Sequence, residues 1–255
     1  MFRLDGSRKV HLRRISAWTS CWLSIALPAF AHAQAISCAV PANVPRPHAD
    51  TPDIRNPRRV LPIASYTLAL SWSPQFCKES GARDSSAMQC GGAGAGGNRF
   101  GFTLHGLWPD GSGKEWPQYC SAVPILSETT IRANLCATPS AQLLQHEYAK
   151  HGSCVTGSPD DYFRRSTRLY AAIRYPDMDR LSRQRKLTVA SFTTAFARAN
   201  RGLNVGAVRV TTTREGWLDE IWLCLDTGFR YERCTQGGGA RPGTPLRIWR
   251  GSSAR

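Results

Sequence analysis

The segment His146–Cys154, HEYAKHGSC, places two histidines, a glutamate and a lysine within six consecutive positions. Good helix formers precede it, with Thr138 placed as an N-cap and Pro139 as a first-turn proline. Gly152 stands where a glycine commonly ends a helix. The sequence therefore predicts one helix over residues 138–151 that carries a dense set of ionisable groups in its last turn.

Residues four apart share a helix face, so Glu147 is predicted beside His151, and His146 beside Lys150. These acid–imidazole and imidazole–ammonium rows suit proton transfer next to an anion. A zinc-protease helix is disfavoured, because its two histidines are four apart, whereas these are five apart, or about 140° around an α-helix. The other alternative is a solvated helix end, whose Lys and His merely complement the helix dipole.

A second dense segment is Phe102–Asp110, FTLHGLWPD. It runs from an apolar strand into His105, and Gly106 then permits the close approach of another group. Trp108-Pro109 adds an aromatic surface on a rigid stretch of backbone. A lone histidine here would more often be structural than catalytic, but its combination with the His/Glu/Lys helix favours a catalytic pair.

The N-terminus is typical of a secretory signal peptide, which we assign to residues 1–33. A basic start is followed by an apolar stretch, Ala17–Phe30, that is too short to span a bilayer. The small-x-small pattern places cleavage after Ala33 or Ala35. No later stretch approaches the roughly 18–20 apolar residues of a transmembrane helix. We expect an exported protein, in the periplasm or the medium, with no membrane association after cleavage.

Eight of the nine cysteines remain once Cys21 leaves with the signal. An even number in an exported chain predicts four disulfides, although spacing does not select the pairing. A metal site is the weaker alternative, since the sequence contains no C-x-x-C pair. The eight cysteines are Cys38, Cys77, Cys90, Cys120, Cys136, Cys154, Cys224 and Cys234.

The chain is strongly basic, with a formal net charge of +15. The signal carries five basic residues and one aspartate, so about +11 remains after cleavage. Such a balance favours a polyanionic partner, either nucleic acid or an anionic surface. Residues 34–62, the N-terminal arm, are rich in proline and arginine. We predict that the arm is extended and outside the core, with His48 an exposed bystander.

Alternating apolar residues predict a strand over Ser65–Trp72, with Tyr66, Leu68, Leu70 and Trp72 on one face. Residues 78–99 are predicted to form a loop. Further helices are predicted over 125–136, 160–174 and 187–199, and further strands over 207–213, 218–226, 228–234 and 246–249. This order predicts a single α+β domain over residues 63–250, with a mainly antiparallel central sheet flanked by helices and stapled by disulfides.

The two dense segments resemble the two signature segments of the ribonuclease T2 family. The similarity extends to SWSPQFC, which starts at Ser71, and to LDEIWLCLD, which starts at Leu218, so it spans about Tyr66 to Cys234. Two departures are small: Tyr148 stands where tryptophan is usual in the family, and Ser153 where threonine is common.

The resemblance implies an endoribonuclease that cleaves single-stranded RNA with low base specificity. The 2′-hydroxyl attacks the adjacent phosphorus and forms a 2′,3′-cyclic phosphate, with two histidines as general acid and base and no metal or cofactor. By resemblance His151 is the base and His105 the acid, and both are required. Supporting roles are assigned to Glu147, Lys150 and His146 at the phosphate, and to Trp108 and Asp110 at the base.

Further features follow from the same resemblance. It implies disulfides Cys120–Cys154 and Cys224–Cys234, and we expect Cys77–Cys90 and Cys38–Cys136 for the other four cysteines, whose pairing stays open. Trp108 could instead be a core tryptophan, and Trp116 and Tyr119 are weaker candidates for the base pocket. We expect a monomer with RNA as its substrate. The rival functions are a non-catalytic RNA-binding relative and a secreted module that binds anionic surfaces.

Overall fold

The computed structural model describes Phe2 and residues 35–81, 86–91, 97–235 and 237–251. Apart from Phe2, the predicted signal peptide therefore lies outside the described residues. Within these ranges, no helix has the length and apolar character needed to cross a membrane.

A four-stranded antiparallel sheet forms the centre of the domain. Its strand order is β4 (Phe102–Asp110), β2 (Ser65–Trp72), β6 (Leu218–Leu225) and β5 (Val208–Thr212). The bounds of β2 are those predicted from the alternation of apolar residues. Two short strands, β1 (Ala35–Ser37) and β3 (Arg99–Phe100), pair with each other in a separate sheet.

Most helices lie in the chain between β4 and β5, which confirms the predicted α+β class with its antiparallel sheet. Ser158 caps one of them by accepting from the Asp161 backbone N–H, and Thr188 caps another through a capping box. The helices are α1 (Ser73–Ser80), α2 (Ala87–Cys90), α3 (Glu128–Asn134), α4 (Ala141–Glu147), α5 (Ser153–Val155), α6 (Pro159–Ala172), α7 (Met178–Ser182) and α8 (Val189–Ala199).

Two predicted strands and one predicted loop were wrong. Residues 228–234 and 246–249 form only isolated bridges. Phe229 has φ +62°, which is outside strand geometry, and Pro245, directly before the second segment, has no N–H for a ladder. Residues 78–99 contain the end of α1, all of α2 and the start of β3. Pro74 in the first turn of α1 was a usable signal for that helix.

The apolar face of the sheet lies in the main core. Leu68, Leu70 and Ile221 are fully buried and belong to one cluster with Phe192 and Phe196 of α8. Since side chains alternate along a strand, the opposite face of the same strands is free to carry polar residues. That opposite face holds the candidate site.

Strand β4 is an edge strand whose free side is satisfied by the helical region. The Tyr162 hydroxyl accepts from the Leu107 backbone N–H at 3.2 Å and donates to its carbonyl at 3.1 Å. The Thr138 hydroxyl donates to the Leu104 carbonyl at 2.7 Å. Covering the edge removes a place where another chain could pair, and it fixes β4 on both sides of His105.

Four disulfides staple the domain, as predicted: Cys38–Cys136, Cys77–Cys90, Cys120–Cys154 and Cys224–Cys234. The first of these ties the start of the N-terminal arm to the helical region. Apart from β1, the described part of the arm forms neither helix nor strand. It nevertheless packs on the body, because Pro47 is buried and Val40 and Val44 contact the core.

We expect Tyr162→Phe to lower the free energy of unfolding by about 1–3 kcal/mol, since it leaves buried backbone groups of Leu107 without their partner. The measurement is urea denaturation with an unchanged slope. Tyr148→Phe is the matched control, because the Tyr148 ring is also buried but its hydroxyl has no hydrogen bond among the described residues. Equal effects of the two substitutions would contradict the role given to the Tyr162 hydroxyl.

Candidate active site

His105 is placed by a bulge in β4. Ala69 of β2 pairs with Gly106, and the next residue, Leu70, pairs with Leu104, which leaves His105 as the extra residue. A bulge of this kind redirects the side chain that it carries. The imidazole therefore leaves the regular ladder and meets polar residues of the neighbouring strands.

Glu220 of β6 is the main partner of this imidazole. His105 Nδ1 lies 2.6 Å from Glu220 Oε1, and Glu220 also accepts from Ser71 Oγ at 2.6 Å and Trp222 Nε1 at 2.7 Å. Burial opposes the imidazolium, but the bond to Glu220 and the charge of Glu147 outweigh it and raise the pKa of His105 to about 9. Burial of the Glu220 carboxyl is likewise outweighed by His105, which lowers the pKa of Glu220 to about 2.

Glu147 is the buried acid at the centre of the site. Its Oε2 accepts from Trp108 Nε1 at 2.9 Å, and its Oε1 lies 3.5 Å from His105 Nε2. A Cβ atom at Gly106 would stand 1.7 Å from Glu147 Oε2. Glycine at this position therefore allows the Glu147 carboxylate to approach the backbone of β4 closely. Burial raises the pKa of Glu147, although nearby imidazoles and Lys150 act in the opposite direction.

The helix carrying Glu147 begins later than predicted. Its N-cap is Ser140, whose side chain accepts from the Leu143 backbone N–H. Thr138 is not the cap because its hydroxyl donates to the carbonyl of Leu104 in β4. The prediction was wrong because a cap and a strand contact competed for the same hydroxyl, and only the tertiary fold decides between them.

The end of the helix also differs from the prediction. Helix α4 ends at Glu147, and a π-helical turn, Tyr148–Gly152, follows it. Gly152 has right-handed helical backbone angles, so it is not a left-handed C-cap. The physical reason for glycine there is space, since a Cβ atom would lie 2.6 Å from the Tyr148 ring and 2.9 Å from the Tyr162 ring.

The π turn brings His146 and His151 to the same side. The predicted separation of about 140° was wrong, because a π turn takes more residues per turn than an α-helix and aligns residues five apart. The ring centroids are 6.4 Å apart, and the ligand atoms of His146, Glu147 and His151 lie within 4.8 Å of one another. These three side chains could hold a metal ion, although the neighbouring positive charge of Lys150 opposes a cation.

His151 has the opposite electrostatic character to His105. It is buried, and burial followed by the positive charges of Lys150 and the other two histidines lowers the pKa of His151 well below its usual value. A carboxylate four residues away on the same face would favour the protonated form of His151, but the Glu147 carboxylate is directed to Trp108 and His105 instead.

Trp108 stands between the two imidazoles. Its ring centroid is 5.1 Å from that of His105 and 5.6 Å from that of His151. Asp110, predicted to share a base pocket with it, lies at the end of β4, where its carboxylate accepts from Thr67 Oγ1 at 2.8 Å. The structure thus brings His105, Glu147 and His151 to Trp108, and it places His146 beside His151. The described hydrogen bonds of Asp110 and Trp116 lead to Thr67 and Gln118 instead.

Sequence reasoning missed three residues of the site. Glu220 and Ser71 lie in the two additional similar segments. Usable signals were the polar Ser71 between Leu70 and Trp72, and the pair of acidic residues, Asp219 and Glu220, inside a predicted strand. Asp50 had no such signal. Its Oδ2 lies 2.9 Å from His146 Nδ1, a contact between residues 96 positions apart, within an arm predicted to be peripheral.

Residues 63–234 match the Ribonuclease T2 family. A protein of Haemophilus influenzae described as a probable ribonuclease is 30% identical over 189 residues, which cover 68% of this chain and 61% of that relative. Ribonuclease I of Escherichia coli is 29% identical over 202 residues, which cover 63% of this chain and 74% of that relative. The chain thus spans less than two thirds of the Haemophilus relative.

The fold is also found among solved structures. An RNase-related protein from Calystegia sepium superposes with a TM-score of 0.57 at 21% identity, over 72% of this chain and 97% of that chain. At this identity the similarity shows the fold alone. The family match over residues 63–234 covers both signature segments and all four strands of the central sheet. The chain belongs to the ribonuclease T2 family.

Proposed function

We propose that this protein is an endoribonuclease that cleaves single-stranded RNA without a metal ion, through a 2′,3′-cyclic phosphate. The observation that carries the proposal is the pair of imidazoles, His105 and His151, whose pKa values are shifted in opposite directions on either side of Trp108. Groups whose environments separate their pKa values are suited to act as acid and base. The similarity to ribonuclease I of Escherichia coli supports the same class of reaction.

His151 is the proposed general base. Because its pKa is lowered, the imidazole is neutral at neutral pH and can accept the proton of the RNA 2′-hydroxyl. The oxygen then attacks the adjacent phosphorus. DNA lacks this hydroxyl, so the mechanism selects RNA by chemistry.

His105 is the proposed general acid. Its raised pKa keeps the imidazole protonated at neutral pH, and it can give a proton to the departing 5′-oxygen. Proton transfers of this kind each contribute about 10²–10⁴-fold to the rate. Glu220 keeps the proton on this ring and also determines its orientation through the bond to Nδ1.

Negative charge that develops on the phosphorane oxygens needs fixed donors. His146 and Lys150 are the proposed phosphate ligands. They lie one residue before and three residues after Glu147 in the chain. The buried carboxylate of Glu147 holds Trp108 and His105 in place. Since Lys150 supplies a positive charge at the phosphate, the proposed reaction requires no metal or other cofactor.

The partly exposed ring of Trp108 is the proposed stacking surface for a base. Stacking contributes about 1–3 kcal/mol per base and tolerates any base, so we propose low base specificity. Asp110 remains a proposed acceptor for a base edge. We also propose that the protein is exported to the periplasm or medium, on the basis of its N-terminal sequence, and that it acts as a monomer.

The first test is a digestion of RNA by the oxidised protein in EDTA, with the product ends analysed by mass. We expect ends with 2′,3′-cyclic phosphate from RNA, and no cleavage of DNA. His105→Ala and His151→Ala should each lower the rate by about 10²–10⁴-fold. His48→Ala is the matched control, because this histidine is exposed on the arm and should leave the rate unchanged.

Three outcomes of that digestion would contradict the proposal. Loss of activity in EDTA would show that a metal is needed. Cleavage that survives both substitutions would mean that other residues perform the proton transfers. Intact RNA that nevertheless binds to the protein would favour a non-catalytic RNA-binding function.

The pH dependence of kcat/KM for a dinucleotide substrate is the second test. Activity should rise as His151 loses its proton, below pH 6.5, and fall as His105 loses its own near pH 9. Glu220→Gln should move the upper limb to lower pH, because it removes the charge that stabilises the His105 imidazolium. An upper limb that stays in place in this variant would contradict the role of Glu220.

Gly106→Ala is the third test, and it probes the position of the Glu147 carboxylate against β4. The new methyl group would overlap Oε2, so the carboxylate must move, and we expect a loss of kcat/KM of about 10²-fold or more. Gly113→Ala is the control, since no atom lies within 4 Å of the added carbon there. Similar activities of the two variants would show that the position of Glu147 is unimportant.

A further inference from the structure

We propose that Asp50 of the N-terminal arm is a positioning residue for the reaction, which orients the imidazole of His146 toward the substrate phosphate. This inference rests on the proposed function. Asp50 lies outside residues 63–234, the part of the chain that matches the family. The arm would thereby supply a part of the site from beyond the matched domain.

Both oxygens of the Asp50 carboxylate are engaged inside the site. Oδ2 lies 2.9 Å from His146 Nδ1, and Oδ1 accepts from the Tyr119 hydroxyl at 2.7 Å. The Asp50 side chain is 18% exposed and that of His146 is 32% exposed, so the pair is shielded while one edge of the ring remains accessible. A carboxylate held at both oxygens cannot turn without breaking one of the two bonds.

Tyr119 is itself held against the π turn. Its backbone N–H donates to the Lys150 carbonyl at 2.8 Å, and the next residue, Cys120, forms a disulfide with Cys154. The backbone of Tyr119 has φ +50°, a conformation that a tyrosine adopts only where its surroundings impose it. The hydroxyl that holds Asp50 is therefore fixed relative to the turn that carries the other site residues.

The arm is anchored on both sides of Asp50. Two residues earlier, the His48 backbone N–H donates to Gln142 Oε1 at 2.8 Å, and Gln142 lies one helical turn before His146. Further along, the backbones of Arg59 and Gln118 exchange two hydrogen bonds of 2.9 Å. Because of these contacts, Asp50 is held beside His146 by a segment that is fixed at several points.

The consequence for His146 concerns the ring nitrogens. A bond to a carboxylate requires a hydrogen on Nδ1, and it fixes the rotation of the ring. Nε2 is then the nitrogen left for the substrate, and with a hydrogen of its own it would donate to a phosphate oxygen. Without Asp50 the ring can rotate about its side-chain bonds, and a misplaced group of this kind commonly lowers the rate about 10²-fold.

The test is a double-mutant cycle on kcat/KM for RNA cleavage, with Asp50→Ala, His146→Ala and the double variant. We expect Asp50→Ala to lower kcat/KM about 10- to 100-fold, and to have no further effect in the His146→Ala background, since it acts only through that ring. Asp50→Asn serves if Asp50→Ala does not fold. Asp53→Ala is the control, because it removes another carboxylate of the same arm, one whose described hydrogen bonds reach only Arg55 and Asn56, and it should stay within about twofold of the parent.

The outcomes separate this inference from the proposed function. If the parent protein cleaves RNA and Asp50→Ala matches it, the positioning role is overturned and the proposed function stands. Equal losses in both His146 backgrounds would assign Asp50 a merely structural role and would also overturn it. If the parent protein cleaves no RNA, nitrogen NMR of His146 decides: Nδ1 should carry a bonded hydrogen in the parent that Asp50→Asn weakens, and a parent ring protonated only on Nε2 would overturn the proposal.

Discussion

The buried carboxylate of Glu147 is the constraint on which the site depends. A charged group in such a position is costly unless it is paired. Here Oε2 accepts from the indole N–H of Trp108, whereas Oε1 makes no hydrogen bond with the described residues and has only the His105 imidazole, 3.5 Å away, as its ionic partner. Both partners lie on β4, and Gly106 between them has no side chain to obstruct the carboxylate. One group on α4 therefore determines where a whole strand segment must lie.

The distribution of carboxylates explains why three histidines in one cluster have different environments. His105 has Glu220 at its Nδ1, and His146 has Asp50 at its Nδ1. His151 is buried, and its Nδ1 makes no hydrogen bond with the described residues. The pKa values of His105 and His151 are consequently shifted in opposite directions, which burial alone could not achieve, because burial lowers the pKa of every imidazole.

The scaffold places these groups through a few departures from regular structure. The bulge in β4 turns His105 out of the ladder, and the π turn at Tyr148–Gly152 aligns two histidines that an α-helix would separate. Both departures are held by neighbours with no part in the proposed chemistry. The Tyr162 hydroxyl secures the free edge of β4, and the Cys120–Cys154 disulfide closes the chain around the π turn.

The sequence by itself determined the α+β class, the limits of Ser65–Trp72, the number of disulfides and the two histidine segments, because alternation, cysteine number and local motifs are readable along the chain. Only the tertiary structure decided the π turn, the position of the Glu147 carboxylate, and the pairing of His105 with Glu220 and of His146 with Asp50. These depend on contacts between distant residues, such as the 96 positions that separate Asp50 from His146. A local pattern does not encode such a contact, so the pairing of these carboxylates with their histidines could be found only in the folded chain.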